Sequence, residues 1–103
     1  MTKILLCCAA GMSTSLLVES MEDAAKEQGI EAKIWAISVS LLESNIGEAD
    51  VVLVGPQIKF KLKHIKSVAD EKSIPVELIS TVDYGRVDGK NVLKQALRLI
   101  NRG

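Results

Sequence analysis

In Lys3-Ile-Leu-Leu-Cys-Cys-Ala-Ala-Gly-Met-Ser-Thr-Ser15, an apolar run of strand length (Lys3 to Cys7) gives way to small residues. The polar helix-start set Met12–Ser15 follows. From Ser15 onward, Leu16, Leu17, Met21, Ala24 and Ala25 recur at helical spacing, which predicts one apolar face with a stop at Gly29. Strand, tight loop and helix in that order form the first half of a parallel β-α-β unit. Downstream the same unit recurs. Ile30–Ile37 alternates, with Ile30, Ala32, Ile34 and Ala36 on one face, and predicts a second strand. Leu41–Asn45 is assigned a short helix. Asp50-Val-Val-Leu-Val-Gly55 is β-branched and uncharged after Asp50, a third strand. Pro56 favours a helix first turn, with Ile58, Leu62, Ile65 and Ala69 as its apolar stripe. Pro75-Val-Glu-Leu-Ile79 is a fourth strand and Ser80–Gly89 reads as a loop. The last helix turns Val92, Leu93, Ala96, Leu97 and Ile100 inward, and Lys94, Arg98 and Arg102 outward.

The alternation β-α-β-α-β-α-β-α predicts an α/β fold: a four-stranded parallel sheet with helices on both faces, joined by right-handed crossovers. The first and third strands are the most uniformly apolar and so belong in the middle, giving the order 2-1-3-4. That is a three-layer Rossmann-like, or flavodoxin-like, arrangement. Ligands of such sheets bind beyond the carboxyl ends of the strands, at the switch between the first and third. The edge is built here by Cys8–Ser15, Gly55–Gln57 and Ser80–Gly89.

Composition narrows the function classes. A chain of 103 residues with 48% apolar and 25% charged residues fits one domain, 1–103, with no linker or repeat dividing it. Thirteen Lys and Arg balance thirteen Asp and Glu, which argues against a nucleic-acid binder, and three aromatics offer no base-stacking platform. One His and two Cys are too few for a closed zinc site, so no metal is expected. The longest apolar run, Ile4 to Gly11, falls short of a membrane span of about 20 residues and does not read as a signal peptide. A cytoplasmic protein without direct membrane insertion, its cysteines held as thiols, is the expectation. The neutral total conceals two halves. Residues 1–55 carry three Lys against eight acids, and residues 56–103 carry ten basic groups against five acids. Such a field orients charged protein partners, or it reflects solvated helix faces; both readings stand.

The loop after the first strand carries the chemistry. Ala9, Ala10 and Gly11 permit a tight turn with open amides, while Ser13, Thr14 and Ser15 add hydroxyls and capping capacity. A loop entering a helix N-terminus concentrates N–H donors and the positive end of the dipole, an anion site suited to phosphate. A cysteine at its first position, Cys8, is placed to act as a nucleophile whose phosphoryl adduct those donors hold. Cys7 points the other way and reads as a core side chain. A tyrosine-phosphatase-type loop has Arg six residues after its cysteine. Thr14 stands there instead, so the site holds a phosphoryl group without helping water remove it. A carrier is favoured over the alternative, a low-molecular-weight phosphatase-like enzyme. A redox module using Cys7–Cys8 is a third possibility. No Walker A or G-x-G-x-x-G motif is present and no cofactor is implied.

Cys8-x-x-Gly11-Met12-Ser13-Thr14-Ser15, Asp50-Val-Val-Leu-Val-Gly55-Pro56-Gln57-Ile58 and Tyr84-Gly85-x-Val87-Asp88-Gly89 together resemble, in order, three markers of one family. It is the enzyme IIB component of the phosphoenolpyruvate-dependent sugar phosphotransferase system, lactose/cellobiose class, and the Gly-Met-Ser-Thr-Ser form is closer to the cellobiose/chitobiose branch. The resemblance implies a phosphotransferase that takes a phosphoryl group from phosphohistidine of a IIA protein. It passes the group to a sugar held by the membrane permease IIC. On it, Cys8 is the phosphorylated residue and Ala9, Ala10, Gly11, Met12, Ser13, Thr14 and Ser15 form the phosphate-binding loop. Cys7 departs from the bulkier apolar residue more usual there. Gln57 either lines the site or is a neutral helix-start residue, and Tyr84 either covers it or packs as a loop aromatic. His64 reads as solvated. Lys59, Lys63 and Lys66 form an exposed stripe, and Phe60 and Trp35 are expected to pack.

Overall fold

The computed structural model describes residues 1–8 and 14–102. Strands β1 (Thr2–Cys8), β2 (Ala32–Ser38), β3 (Val51–Val54) and β4 (Val76–Leu78) form one sheet in the order β2-β1-β3-β4. Every pairing is parallel. Helices α1 (Thr14–Glu27), α2 (Leu42–Asn45), α3 (Leu62–Asp70), α4 (Thr81–Gly85) and α5 (Gly89–Arg102) connect or follow the strands. Short 3-10 segments flank α2 and lead into α3 from Pro56.

Strand alternation divides the interior into two cores. Ile4, Leu6, Ile34, Val51 and Leu53 face α1 and α5, where Leu17, Met21, Val92, Leu93, Ala96 and Leu99 complete the packing. Leu5, Cys7, Ile37, Val52 and Val54 face the opposite way onto Leu42, Ile46, Ile58, Ile65 and Ala69. The central strands β1 and β3 are buried on both faces, which explains why their sequences lack the polar alternation of half-exposed strands.

The register brings the carboxyl ends of the strands level, pairing Cys8 with Ser38, Cys7 with Val54, and Val54 with Leu78. Helix α1 stops where Gly29 takes φ +69°. Ile30 N–H donates to Ala25 and Gly29 N–H to Lys26, the paired bonds of a left-handed helix cap.

Three sequence expectations need correction, and one core residue is added. Ser80–Gly89 is not wholly loop: Ser80 Oγ accepts the Asp83 N–H at 3.0 Å and starts the five-residue helix α4. Leu16 is 60% exposed, because the buried face of α1 is set by Thr14, Leu17, Met21 and Ala24, roughly a hundred degrees to its side. Leu99 joins the core beside Ala96. Phe60 does not pack, being 75% exposed. Ile58 leaves the helical path at φ −118° and ψ 30°, and with Ile58 and Leu62 turned inward the intervening Phe60 is carried outward.

Candidate functional site

Cys8 is the last residue of β1 and lies at the edge where all four strands end. Its side chain is 2% exposed, and its Sγ donates to the Ile37 carbonyl of β2 at 3.6 Å. Alternation sends Cys8 to the α1 side of the sheet and Cys7 to the other, where it is sealed in the second core. Burial pushes the Cys7 thiol up to about 11, with the charge of Cys8 adding to the rise and Lys61 opposing it. The two thiols thus differ in surroundings although they adjoin in sequence. Opposed directions also leave the Cys7–Cys8 redox reading without geometric support.

Of the expected phosphate-binding loop, Ala9, Ala10, Gly11, Met12 and Ser13 lie outside the described residues. Thr14 and Ser15 open α1. Among the described residues Thr14 is the buried polar side chain, 1% exposed, with its Oγ1 3.3 Å from the Tyr84 hydroxyl. The position that an arginine would fill in a phosphatase loop is therefore occupied by a hydroxyl engaged with α4. Tyr84 is half-buried and packs against the α1/α5 core while its hydroxyl reaches Thr14. Residues 14 and 84 meet because α1 and α4 lie over the same sheet face.

Gln57 follows β3. A Cβ on Gly55 would stand 2.8 Å from Gln57 Oε1 and 3.7 Å from Cys8 Cβ, so the amide oxygen and the cysteine border the same point above Gly55. The glycine leaves that space open, and its N–H ties β3 to the Cys7 carbonyl at 2.9 Å. Cys8, Gln57, Thr14 and Tyr84 thus gather at one sheet edge. The Ile37 carbonyl beside Cys8 escaped the sequence reading, because a backbone acceptor on a neighbouring strand leaves no residue-type signal.

The other singled-out residues lie elsewhere. His64 is exposed on α3. Trp35 packs against the second core, with its Nε1 donating to Asn45 and Lys33 Nζ 4.7 Å from its ring centre. Among the described residues no His, Cys, Asp and Glu cluster could hold a metal ion, and no helix is long and apolar enough to cross a membrane.

A four-stranded parallel, flavodoxin-like sheet in the order β2-β1-β3-β4, with a cysteine at the end of β1 on the edge where the strands end, defines a class: α/β proteins whose candidate site lies at the carboxyl ends of the strands. Comparison with known proteins sharpens the class. The family model for the lactose/cellobiose-specific IIB subunit of the PTS system matches residues 3–95. The oligo-beta-mannoside-specific EIIB component of Bacillus subtilis (strain 168) is 45% identical over 100 residues, covering 97% of each chain. The solution structure of a cellobiose-specific phosphotransferase IIB component from Borrelia burgdorferi aligns with a TM-score of 0.83 at 42% identity, covering 98% of this chain and 93% of that one. The lactose-specific IIB component domain from Streptococcus pneumoniae aligns at a TM-score of 0.86 over 95% and 96% of the two chains. At 16% identity it bears on the fold alone. The chain belongs to the lactose/cellobiose IIB family of the phosphotransferase system, and is a phosphotransferase subunit. The phosphatase-like alternative is not favoured.

Proposed function

We propose that residues 1–103 act as one cytoplasmic phosphoryl carrier domain, with Cys8 as the phosphorylated residue. The Cys8 thiolate attacks the phosphorus of a phosphohistidine on the IIA protein. The S–P bond forms as the N–P bond breaks, and the imidazole nitrogen keeps the bonding pair and takes up a proton. In the second step a hydroxyl of the sugar held by the permease IIC attacks the same phosphorus. The O–P bond forms, the S–P bond breaks with its electron pair returning to sulfur, and the hydroxyl proton leaves to a base.

The observation that carries this reading is Cys8 at the carboxyl end of central strand β1, directly before the segment entering α1. On this reading the amides of Ala9, Ala10, Gly11, Met12 and Ser13, with Thr14 and Ser15, hold the phosphoryl oxygens at the positive end of α1. The Gln57 amide and the Tyr84 hydroxyl line the site. The 3.6 Å bond from Cys8 Sγ to the Ile37 carbonyl belongs to the protonated thiol. A thiolate there would face a carbonyl oxygen, so attack requires the sulfur to turn from Ile37 toward the donor. A β-linked disaccharide of the cellobiose or chitobiose type is the proposed acceptor, supported by relatives named for cellobiose and oligo-beta-mannosides.

The test is incubation with phosphorylated IIA protein followed by intact-mass and peptide mass spectrometry. One alkali- and iodine-labile phosphoryl group on Cys8 is expected, absent from Cys8→Ser. An unlabelled wild-type chain, or undiminished labelling of Cys8→Ser, would overturn the assignment.

A further inference from the structure

We propose that Phe60 and the lysines beside it, Lys59, Lys61 and Lys63, form the docking site for the phosphohistidine donor protein. The matching surface on the donor is an apolar pocket rimmed by carboxylates. This inference rests on the carrier reading and names its partner surface.

The distribution of exposed apolar side chains is the first observation. Among the described residues these are Met1, Leu16, Leu41, Phe60 and Val82. Met1 precedes the amino end of β1, at the opposite edge of the sheet from Cys8. Each of the others lies in the segment that follows a strand's carboxyl end: Leu16 in α1, Leu41 after β2, Phe60 after β3 and Val82 in α4. The strands are parallel and end level, so these four residues belong to the edge that holds Cys8. Phe60 is the most exposed of the four at 75%. An aromatic ring left in water at a site edge is the residue type that supplies binding energy when a partner covers it.

Charge identifies the occupant. Lys59, Lys61 and Lys63 are all exposed, and the ion pairs among the described residues engage Lys33, Lys90 and Arg98 instead. Residues 59–63 contain no acid. Three cations without carboxylate partners among the described residues, around one exposed ring, repel a basic partner and attract an acidic one. The segment also begins at the site itself, since Gln57 borders the space above Gly55 and Cys8. A loaded donor brings a phosphoryl dianion into that field. After transfer the negative charge sits on Cys8, within this chain, and screens the lysines from the donor's carboxylates. Attraction therefore favours the loaded donor and weakens once the group has moved.

The experiment measures Cys8 labelling by phosphorylated IIA protein, at low and high salt, for the wild type, the triple variant K59E/K61E/K63E, and Phe60→Ala. All four side chains are exposed, and circular dichroism checks that the fold is retained. The charge reversal is expected to slow labelling roughly tenfold at low salt, with the gap narrowing at high salt. Phe60→Ala is expected to raise the half-saturating donor concentration about tenfold while leaving the rate at saturation unchanged. Labelled wild type with variants that match it would overturn the docking site alone. So would a defect confined to sugar phosphorylation by permease vesicles, or to binding of anionic lipid vesicles, since each assigns the surface to another partner. An unlabelled wild type would overturn the carrier reading and this site with it.

Discussion

Two adjacent thiols in one strand meet different surroundings because successive side chains leave opposite faces. Cys7, 1% exposed, is held in its neutral form: burial raises its pKa from 9.0 to about 11, Cys8 adding to the rise and Lys61 opposing it. An acid whose folded pKa is raised keeps its proton longer when folded than when unfolded. Its contribution is complete below pH 9 and is lost as the pH climbs from 9 toward 11, because there the unfolded chain releases a proton that the native state still holds. The loss amounts to about 2–3 kcal/mol once both values are passed. Urea unfolding of wild type and Cys7→Ala at pH 8, 9, 10 and 11 is expected to show stability falling more steeply in the wild type. Cys7→Ala costs about 1 kcal/mol at pH 8 through lost packing. Parallel curves for the two proteins would refute the assignment. The direction of each cysteine was readable from strand parity. The Cys8 bond to Ile37 and the Thr14–Tyr84 contact were not, because they depend on strand register and side-chain rotamer, which the residue pattern does not specify.

At the scale of elements, three helices end on the same geometry with different residues, α4 among them with Val87 at φ 53°. Helix α1 closes with Gly29 at φ +69°, and α3 closes with Ser73 at φ 56°. In α3, Ile74 N–H donates to Ala69 and Ser73 N–H to Asp70, reproducing the bonds at Ile30 and Gly29. A serine in the left-handed region brings its Cβ close to backbone that a glycine would clear. Ser73→Gly is therefore expected to stabilise the protein by roughly 0.5–1 kcal/mol, and Gly29→Ser to destabilise it by a similar amount. Chemical denaturation checks both, and a destabilised Ser73→Gly would show that the serine side chain outweighs the backbone effect. The sequence announced the stop at Gly29 by composition and gave no sign of the one at Ser73. Helix α4 was hidden likewise: Tyr84 and Gly85 carry turn chemistry, and the N-cap bond from Asp83 to Ser80 spans too few residues to create an apolar period. Phe60 is a different kind of miss, since the inward stripe of Ile58 and Leu62 already implied that the residue between them faces out.

Across the whole molecule, the order β2-β1-β3-β4 converts a division along the chain into one across the sheet. The acidic residues 1–55 supply β2, β1 and β3, and the basic residues 56–103 supply β4, α3, α4 and α5. The carboxyl-end edge lies across that boundary, with Cys8 in the acidic half and Phe60 in the basic one. The same order grades stability. The described residues of β3 and the inner residues Ile4–Cys7 of β1 are buried and flanked by strands on both sides, so their amides open only when both cores separate. Strand β4 has three residues, all half-buried, and its Leu78 carbonyl accepts from the Gln95 side chain at 2.9 Å rather than from a fifth strand. Native-state hydrogen exchange is therefore expected to show the slowest amides in β1 and β3, exchanging with the free energy of global unfolding. Amides of β4 and α4 should exchange through smaller openings with little dependence on low denaturant. Such openings would release Tyr84 from Thr14 without dissolving the strand that carries Cys8. Equal protection in β4 and β1 would refute this ranking, and would mean that the β4–α4 segment and the strand end holding Cys8 open only as one unit.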